Sequence, residues 1–440
     1  MTAILTDNMR KNLADCFLAE VNDGTDSNQY YIGIGKSDTY PSDDTLVNPV
    51  RTLREQREAR NNLQSVKKVS AASFVIPRYN WTSGTTYSGF TDTSVGIPTN
   101  SYYIMTEDNE VFICLQQSRN ANGQAQPSTV KPAYSNQRLA FRTSDGYVWK
   151  FLYALSATKA ASFLSAGYIP IEKAGTGGDT FQQQQKDIQD NAIAGQIIGV
   201  RIVSSGSGYV GDSATVTFSG NGSGALAKAK ISGGAVARVE MINESAGYGS
   251  GYDYASAYIS GNAVLQPIIG PVGGIGADPR NELKANAVMF NTKPSGEEGG
   301  TFVVDNDFRQ IMLIKDPLIS DSAAQFTETS GKALRYLTMT GATAYSVDNR
   351  IFVDGTSKAA YVVDVDSTRV YYVQNENTGF TPFEDGDTVI DSDAVSGTIN
   401  VADNKSIVDA HSGEVLYIEN RARIIRSTAQ TEDIKIIVQV

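Results

Sequence analysis

The only histidine of the 440-residue chain is His411, and Ser412 follows it directly, with Asp409, Glu414 and Glu419 nearby. A serine hydrolase needs a histidine base beside the serine hydroxyl and an acid that orients the histidine. Neighbours in an extended segment point to opposite faces, so His411 and Ser412 are poorly placed for this chemistry. The sequence also lacks the Gly-x-Ser-x-Gly segment that presents a strained nucleophile. We therefore predict a structural role for His411.

Glycine-containing segments raise the question of nucleotide binding. The segment 35–37 (Gly-Lys-Ser) resembles the end of a phosphate-binding loop, but Tyr30 stands where that loop needs a glycine. Gly274 and Gly276 are followed by Pro279 at the position of a third glycine, and no helix start follows a strand in the order that a dinucleotide-binding loop requires. We expect neither segment to bind a nucleotide.

Metal and glycosidase chemistry receive little support. Asp385, Asp387, Asp391 and Asp393 lack the order of a calcium loop, and we interpret them as acidic hairpin turns. One histidine cannot form a multi-histidine metal site. Carboxylate pairs for glycoside hydrolysis stay open, because folding brings distant acids together. The sequence thus predicts no enzyme, with no catalytic, cofactor-binding or metal-binding residues.

Charge and composition indicate which classes of binding partner and which compartment to expect. The net charge of −11 disfavours nucleic-acid binding, because an acidic surface repels phosphates. The basic run 51–68 is interpreted as a solvated helix face, with contact to an acidic protein partner as the alternative. Cys16 and Cys114 suit a reducing compartment. The sequence shows neither a signal peptide nor an apolar run of membrane-spanning length, so we expect a soluble protein made in a cytoplasm.

Hydrophobic periodicity predicts a mainly β fold with few helices. The first 170 residues are expected to hold strands and two helices, the first over 4–21 with Thr6 or Asp7 as its cap. Shifts in composition divide the chain into five segments. They are 1–180, 181–275 (a Gly/Ser-rich β-repeat module, opening with a polar linker from Thr180), 276–325, 326–405 (an acidic small β-barrel or sandwich) and 406–440 (C-terminal strands).

The Gly/Ser-rich segment contains an internal repeat. Residues 197–209 align with 236–248, and the Ser-Gly-Asn triplet at 219–221 aligns with the one at 260–262. Two copies are too few for a long solenoid. We predict two hairpin-rich units that pack as one small β module.

The residues after His411 predict a turn at Ser412-Gly413 and then a strand. Successive side chains of a strand alternate between its faces. Leu416, Ile418 and Asn420 share the more apolar face, so we expect that face to pack inward. Val415, Tyr417 and Glu419 then face the other way, and Arg421 is expected to bind neighbouring acids by charge-assisted hydrogen bonds.

Five segments carry a resemblance to a known family. They are 30–41 (YYIGIGKSDTYP), 75–81 (VIPRYNW), 145–155 (DGYVWKFLYAL), 308–318 (FRQIMLIKDPL) and 411–440, which contains HSGE, YIENR and QTE in order. Together they resemble the dimeric baseplate wedge subunit of T-even-type contractile-tailed bacteriophages. The similar parts cover about half of the chain, roughly 1–175, 280–320 and 408–440, and the inserts fit a cyanophage-like myovirus.

The resemblance implies a layered β-sandwich with helices on opposite sides, assembled as a homodimer. It implies a structural virion protein of the tail baseplate, assembled in the host cytoplasm and bound to other wedge proteins, with no catalytic residues. The resemblance implies that 1–180 (first part), 276–325 (second part) and 406–440 form the β-sandwich core. It also implies that 181–275 and 326–405 are modules inserted between family motifs, where surface loops tolerate insertions. An alternative function is carbohydrate or host-receptor binding through these modules, because their tyrosines could stack on a surface glycan.

Overall fold

The computed structural model describes residues 4–22, 28–36, 38, 46–94, 101–243, 247–296 and 298–439. The fold is mainly β, with 41% strand and 13% helix, as the sequence predicted. The helices are α1 (Asp7–Asn22), α2 (Leu53–Asn61), α3 (Ala157–Phe163), α4 (Thr180–Asp190) and α5 (Pro279–Glu282).

The strands are numbered in chain order. They are β1 (Tyr30–Gly35), β2 (Leu63–Lys68), β3 (Ala71–Pro77), β4 (Tyr103–Met105), β5 (Glu110–Gln116), β6 (Phe141–Arg142), β7 (Val148–Ala154), β8 (Tyr168–Ile171), β9 (Ile197–Ser204), β10 (Ser213–Gly220), β11 (Ser223–Ala225), β12 (Ala227–Ser232), β13 (Ala235–Met241), β14 (Tyr248–Ser250), β15 (Ala255–Ile259), β16 (Val264–Ile269), β17 (Ala287–Thr292), β18 (Asp307–Lys315), β19 (Ser330–Lys332), β20 (Arg335–Met339), β21 (Arg350–Phe352), β22 (Ala359–Val365), β23 (Arg369–Val373), β24 (Thr388–Asp391), β25 (Ser396–Lys405), β26 (Glu414–Ile425) and β27 (Ile434–Gln439).

These strands form a closed barrel and several open sheets. The sheet orders are β19-β2-β1-β18-β26, β13-β12-β10-β15-β16-β9, β27-β17-β3-β8, β4-β5-β7-β6 and the pair β11-β14. The chain divides into two compact units, the first made of residues 1–18, 73–289 and 437–440 and the second of 19–72 and 290–436.

In the first unit, α4 corrects the predicted polar linker that begins at Thr180. Asp179 and Gln182 form a reciprocal capping box at the start of α4, which stabilises a helix N-terminus. Ile188 is fully buried in the aromatic cluster around Trp149. The glutamine-rich segment is therefore a packed helix. The prediction of two helices before residue 170 was also too low, because α3 begins after the cap residue Ser156.

The internal repeat folds into the six-stranded sheet by exchanging strands. The first copy supplies β9, β10 and β12, and the second supplies β13, β15 and β16. In the order β13-β12-β10-β15-β16-β9, equivalent strands lie at equal distances from the centre. Each half of the sheet thus takes its outermost strand from the other copy. The two copies form one sheet, and neither has a complete set of neighbours alone.

In the second unit, strands far apart in sequence become neighbours. β1 pairs with β18, with Ile32 opposite Leu313, and β18 pairs with β26, with Met312 opposite Ile418. The basic run 51–68 was predicted to be helical throughout, and this is wrong for its second half. Residues Leu63–Lys68 form β2, whose first five residues are buried, because β2 lies between β1 and β19.

The barrel of the second unit runs β20-β23-β22-β21-β24-β25 and closes on itself. Its interior is filled by apolar side chains, including Leu337, Ile351, Val362 and Ile399. The chain enters and leaves the barrel at one place, because the Ser406 N–H donates to the Leu334 carbonyl at 2.8 Å.

A β-bulge corrects the predicted faces of β26. Leu313 lies opposite Tyr417, whereas Ile314 lies opposite Val415, so Leu416 is the extra residue. A bulge inserts one residue and changes which side chains face the core. Val415 and Ile418 therefore both pack on the core cluster around Met312, and Leu416 is 39% exposed.

Candidate functional site

Hydrogen bonds of Asp409 and Ser412 fix the turn before β26, which contains His411. The Asp409 carboxylate accepts a hydrogen bond from the His411 N–H at 2.9 Å. The Ser412 hydroxyl donates to the Asp409 carbonyl at 2.6 Å and accepts from the Leu318 N–H at 2.7 Å. Both bonds link Ser412 to the backbone, so its hydroxyl stabilises the turn.

The end of this turn bears out the predicted bend at Ser412-Gly413. Gly413 has a φ of +65°, a left-handed conformation that glycine adopts at little cost. A Cβ at this position would lie 2.5 Å from the Lys315 carbonyl oxygen. The strand β26 then begins at Glu414.

Arg60 of α2 ties the same turn to the helix. Its guanidinium donates to the carbonyl oxygens of Ala410 at 3.4 Å and Gly413 at 2.7 Å, and also to that of Ser412. Hydrogen bonds from a charged donor are stronger than neutral ones. Arg60 therefore brings a fixed positive charge close to His411.

A cavity of about 240 Å³ opens beside His411 within the second unit. We call it the His411 cavity. Its charged lining consists of Arg60, Arg335, Lys405, His411 and Asp409. Its apolar lining consists of Leu63, Ala333, Leu334, Tyr372, Val373, Phe380, Val408 and Ala410. The side chains of Phe380 and Lys405 are exposed, at 54% and 45%.

The pKa of His411 depends on its burial and on the charged groups around the cavity. Partial removal of water lowers the pKa of His411 below its usual value, and Arg60 and Arg335 lower it further against the opposing effect of Asp409. Nearby cations penalise a charged imidazole. The lowered pKa of His411 therefore reflects burial first, with Arg60 and Arg335 acting in the same direction.

The polar residues of β26 hold the strand in place. Arg421 pairs with Glu419 at 2.9 Å, which bears out the predicted charge-assisted contact. The Gln310 amide nitrogen donates to the Asn420 side-chain oxygen at 2.8 Å, and the Asn420 amide donates to the Val47 carbonyl at 2.7 Å. These residues position backbone and neighbouring strands.

The glycine segments have structural partners. Lys36 pairs with Asp38 at 3.2 Å, and Ser37 lies outside the described residues. After Gly276, a helix of only four residues begins at Pro279. The Glu282 carboxylate accepts hydrogen bonds from the Gly276 N–H at 2.7 Å and the Asp278 N–H at 3.2 Å.

Glu282 and Lys150 are buried ionisable groups of the first unit that influence each other's titration. Burial raises the pKa of Glu282 to about 7, against the attraction of Lys150. Burial lowers the pKa of Lys150, whose ammonium donates to the Ile275 carbonyl at 2.6 Å. The sequence carried no signal for this pair, because the two residues are more than a hundred positions apart.

The acidic turns of the barrel bond to the protein itself. Asp385 accepts from the Ala402 N–H at 2.7 Å, and Asp387 pairs with Lys358 at 2.7 Å. Asp391 accepts from the Val395 N–H at 2.8 Å, and Asp393 accepts from the Asn349 amide at 2.7 Å. In the part of the chain that the structure describes, no cluster of three or more His, Cys, Asp or Glu side chains could hold a metal ion.

The two cysteines occupy different environments. Cys16 is exposed and Cys114 is buried, and neither forms a disulfide. Burial raises the pKa of the Cys114 thiol, and this suppresses the reactive thiolate. Only Cys16 is accessible to a labelling reagent.

Sequence reasoning singled out His411, Ser412 and the acids around them, but it missed the cavity beside them. Arg60, Arg335 and Lys405 come from α2, β20 and β25. The basic run was a partial signal for Arg60. Arg335 and Lys405 stand alone in β-rich segments, so only the fold reveals that they lie together.

Comparisons with protein-family models and with curated proteins find no match for this chain. Over the described residues, the helices include none that combines the length and the apolar character of a membrane span.

Proposed function

We propose that this chain is a structural subunit of a contractile-tail baseplate wedge, which acts by homodimerisation and by contacts with other wedge proteins. The proposal rests on the family resemblance and on surfaces suited to assembly. Three of the resembling segments, 30–41, 308–318 and 411–440, contribute the adjacent strands β1, β18 and β26. Because these three segments build one sheet, they share a structural framework, and this supports the proposal.

The observation that carries the assembly proposal is an exposed apolar stripe on α1 and the residues before it. Leu5, Met9 and Leu13 are 49%, 46% and 42% exposed, and the exposed Cys16 continues the same face. Met9, Leu13 and Cys16 lie on one side of α1, because residues spaced by three and four share a helix face, and Leu5 precedes the helix. Exposed apolar surface of this kind is typical of protein–protein contacts.

We propose that the α1 stripe forms part of the homodimer interface. An obligate dimer is expected to bury on the order of 2,000 Å² in total, so the stripe is one part of a larger contact. Replacing Met9 and Leu13 together by glutamate places two charges in that contact. The expected result is a shift from dimer to monomer in sedimentation and a loss of wedge assembly with the partner subunits.

Val210 provides a matched control, because it is 96% exposed and lies in the Gly/Ser-rich module. Val210→Glu should leave the dimer intact. A monomeric wild-type chain in sedimentation would overturn the homodimer. A wild-type dimer that persists in the α1 variant would show that α1 is not its interface.

A second candidate function is glycan binding by the six-stranded sheet. Tyr258 of β15 is 56% exposed, and Tyr254, in the bend just before β15, is 66% exposed. Thr217 lies opposite Tyr258 in the sheet, which places a hydroxyl beside the ring. Exposed tyrosines stack on sugars, and hydroxyls exchange hydrogen bonds with them.

Host lipopolysaccharide in a surface-binding assay tests this second function. The wild-type chain should bind, and the double variant Tyr254→Ala/Tyr258→Ala should not, whereas Val210→Ala should bind like wild type. Equal binding signals from all three chains, or no signal from any of them, would contradict glycan binding by these tyrosines. The structural role would then be the remaining proposal.

A further inference from the structure

We infer that the His411 cavity binds the carboxylate of a glutamate-containing peptide segment from a partner protein. None of the residues that line the cavity belongs to α1, and the inference stands or fails independently of the wedge function. It rests on the charge, the size and the mixed lining of the cavity.

Positive charge dominates the cavity. Arg60, Arg335 and Lys405 line it together with His411, and Asp409 is the acid among the lining residues. Lys405 also pairs with Asp321, and Arg60 is committed to backbone carbonyls. Even with Asp321 counted beside Asp409, the three cations Arg60, Arg335 and Lys405 outnumber the acids that a bound carboxylate would meet.

Size and polarity favour a carboxylate on an apolar stem. The volume of about 240 Å³ lies below the range of drug-sized ligand pockets and suits one side chain. Leu63, Leu334, Val373 and Phe380 form apolar walls. The methylene groups of a glutamate side chain can pack on these walls, whereas inorganic phosphate has no apolar part that could do so.

His411 links this binding to pH. The charged groups that act on its ring in the unbound protein are Asp409, Arg60 and Arg335, with Lys405 in the same lining. A bound carboxylate adds a negative charge and raises the pKa of the imidazole. Binding therefore tightens as the pH falls from 8 towards 5.5, by up to about tenfold for each pKa unit gained.

The single histidine makes the inference directly measurable. The imidazole proton signal of His411 is the only one of its kind in the chain, so its NMR titration from pH 5 to pH 8 reports this site alone. The probe is the peptide acetyl-Ala-Glu-Ala-amide, and its glutamine analogue is the uncharged control. The glutamate peptide should raise the pKa of His411 by about one unit, and the glutamine peptide should leave it unchanged.

Two variants and one control locate the effect. Lys405→Gln should weaken binding of the glutamate peptide by about two- to fivefold, as expected for an exposed charge, and Arg335→Gln should weaken it more. Arg350 is an exposed arginine of the same barrel that does not line the cavity, so Arg350→Gln should bind like wild type. Thermal unfolding of each variant shows whether it is folded, and Lys405→Gln tests the site if Arg335→Gln does not fold.

Inorganic phosphate separates a peptide site from a general anion site. Phosphate at the concentration of the glutamate peptide should produce a smaller shift in the pKa of His411. Equal or larger shifts with phosphate would overturn the assignment to a peptide carboxylate. Equal shifts from the glutamate and glutamine peptides, or no shift from either, would overturn carboxylate binding itself.

Discussion

The buried guanidinium of Arg426 lies against the carboxylate of Glu432, with 3.0 Å between its Nε and the carboxylate oxygen. Arg426 also donates to the Gly296 carbonyl at 3.2 Å and to the Val303 carbonyl. Its charged group stacks over the Phe302 ring at 4.7 Å. One side chain therefore joins the end of β26 to the residues that precede β18.

Arg426→Ala is expected to lower the free energy of unfolding by about 3–5 kcal/mol, because it leaves a carboxylate and carbonyl groups without their buried cation. Urea unfolding measures the loss. Arg421→Ala is the control, since its pair with Glu419 is partly exposed and should cost only about 0–1 kcal/mol. Equal losses of unfolding free energy in the two variants would show that the buried contacts of Arg426 do not stabilise the fold more than an exposed ion pair does.

The bulge in β26 predicts different losses of stability at two apolar positions that lie two residues apart. Ile418→Ala should cost about 1–2 kcal/mol, because Ile418 packs on the core cluster around Met312. Leu416→Ala should cost less than about 1 kcal/mol, because Leu416 is 39% exposed. Thermal and urea unfolding compare the two. A greater loss of stability in Leu416→Ala than in Ile418→Ala would contradict the bulge and favour the regular strand that periodicity alone predicts.

Gly413→Ala is expected to be strongly destabilising. The position combines a φ of +65° with a Cβ site 2.5 Å from the Lys315 carbonyl oxygen. Gly355 has a φ of +71° and open space around its Cβ site, so Gly355→Ala isolates the backbone cost of about 1–2 kcal/mol. The unfolding free energy should fall further in Gly413→Ala, and similar losses would show that the turn adjusts without strain.

Glu282 is expected to make stability depend on pH near neutrality. Its pKa is raised to about 7 in the folded state, whereas an unfolded glutamate titrates near about 4.3. The folded chain then holds a proton that the unfolded chain releases. This stabilisation is complete below the unfolded pKa and is lost as the pH rises through about 7.

Urea unfolding from pH 5 to pH 8 should show this loss in wild type. Between about pH 5 and 6.5 the slope attributable to Glu282 should approach about 1.4 kcal/mol per pH unit. Glu282→Gln should remove that part of the slope, and Glu414→Gln, at an exposed position, should keep it. A slope unchanged in Glu282→Gln would assign the pH dependence to other groups.

The six-stranded sheet should be removable as one piece. The start of its first strand, β9, lies beside the end of its last strand, β16, because the Gly270 N–H donates to the Gln196 carbonyl at 3.0 Å. Joining Gln196 to Gly270 with a short glycine linker deletes β9 to β16 together. The product should unfold cooperatively with the near-UV circular dichroism expected of an intact aromatic cluster around Trp149. A product without cooperative unfolding would show that the remaining chain needs this sheet.

Local periodicity and turn chemistry determined much of the secondary structure. The strands β1, β5, β7 and β18 follow segments rich in β-branched and aromatic residues, because such side chains pack well on a pleated surface. The turn at Gly413 and the strand after it also followed from residue types. The repeat between residues 197–209 and 236–248 was visible because both copies use similar strands and turns.

Tertiary packing decided what local pattern could not. Burial of Ile188 made a packed helix from a polar segment that reads as a linker, and an inserted residue in β26 turned Leu416 away from the core. The strand exchange between the two repeats depends on pairing across the whole sheet. The His411 cavity unites charges from α2, β20 and β25, because long-range strand pairing brings together residues whose neighbours in sequence give no sign of a shared site.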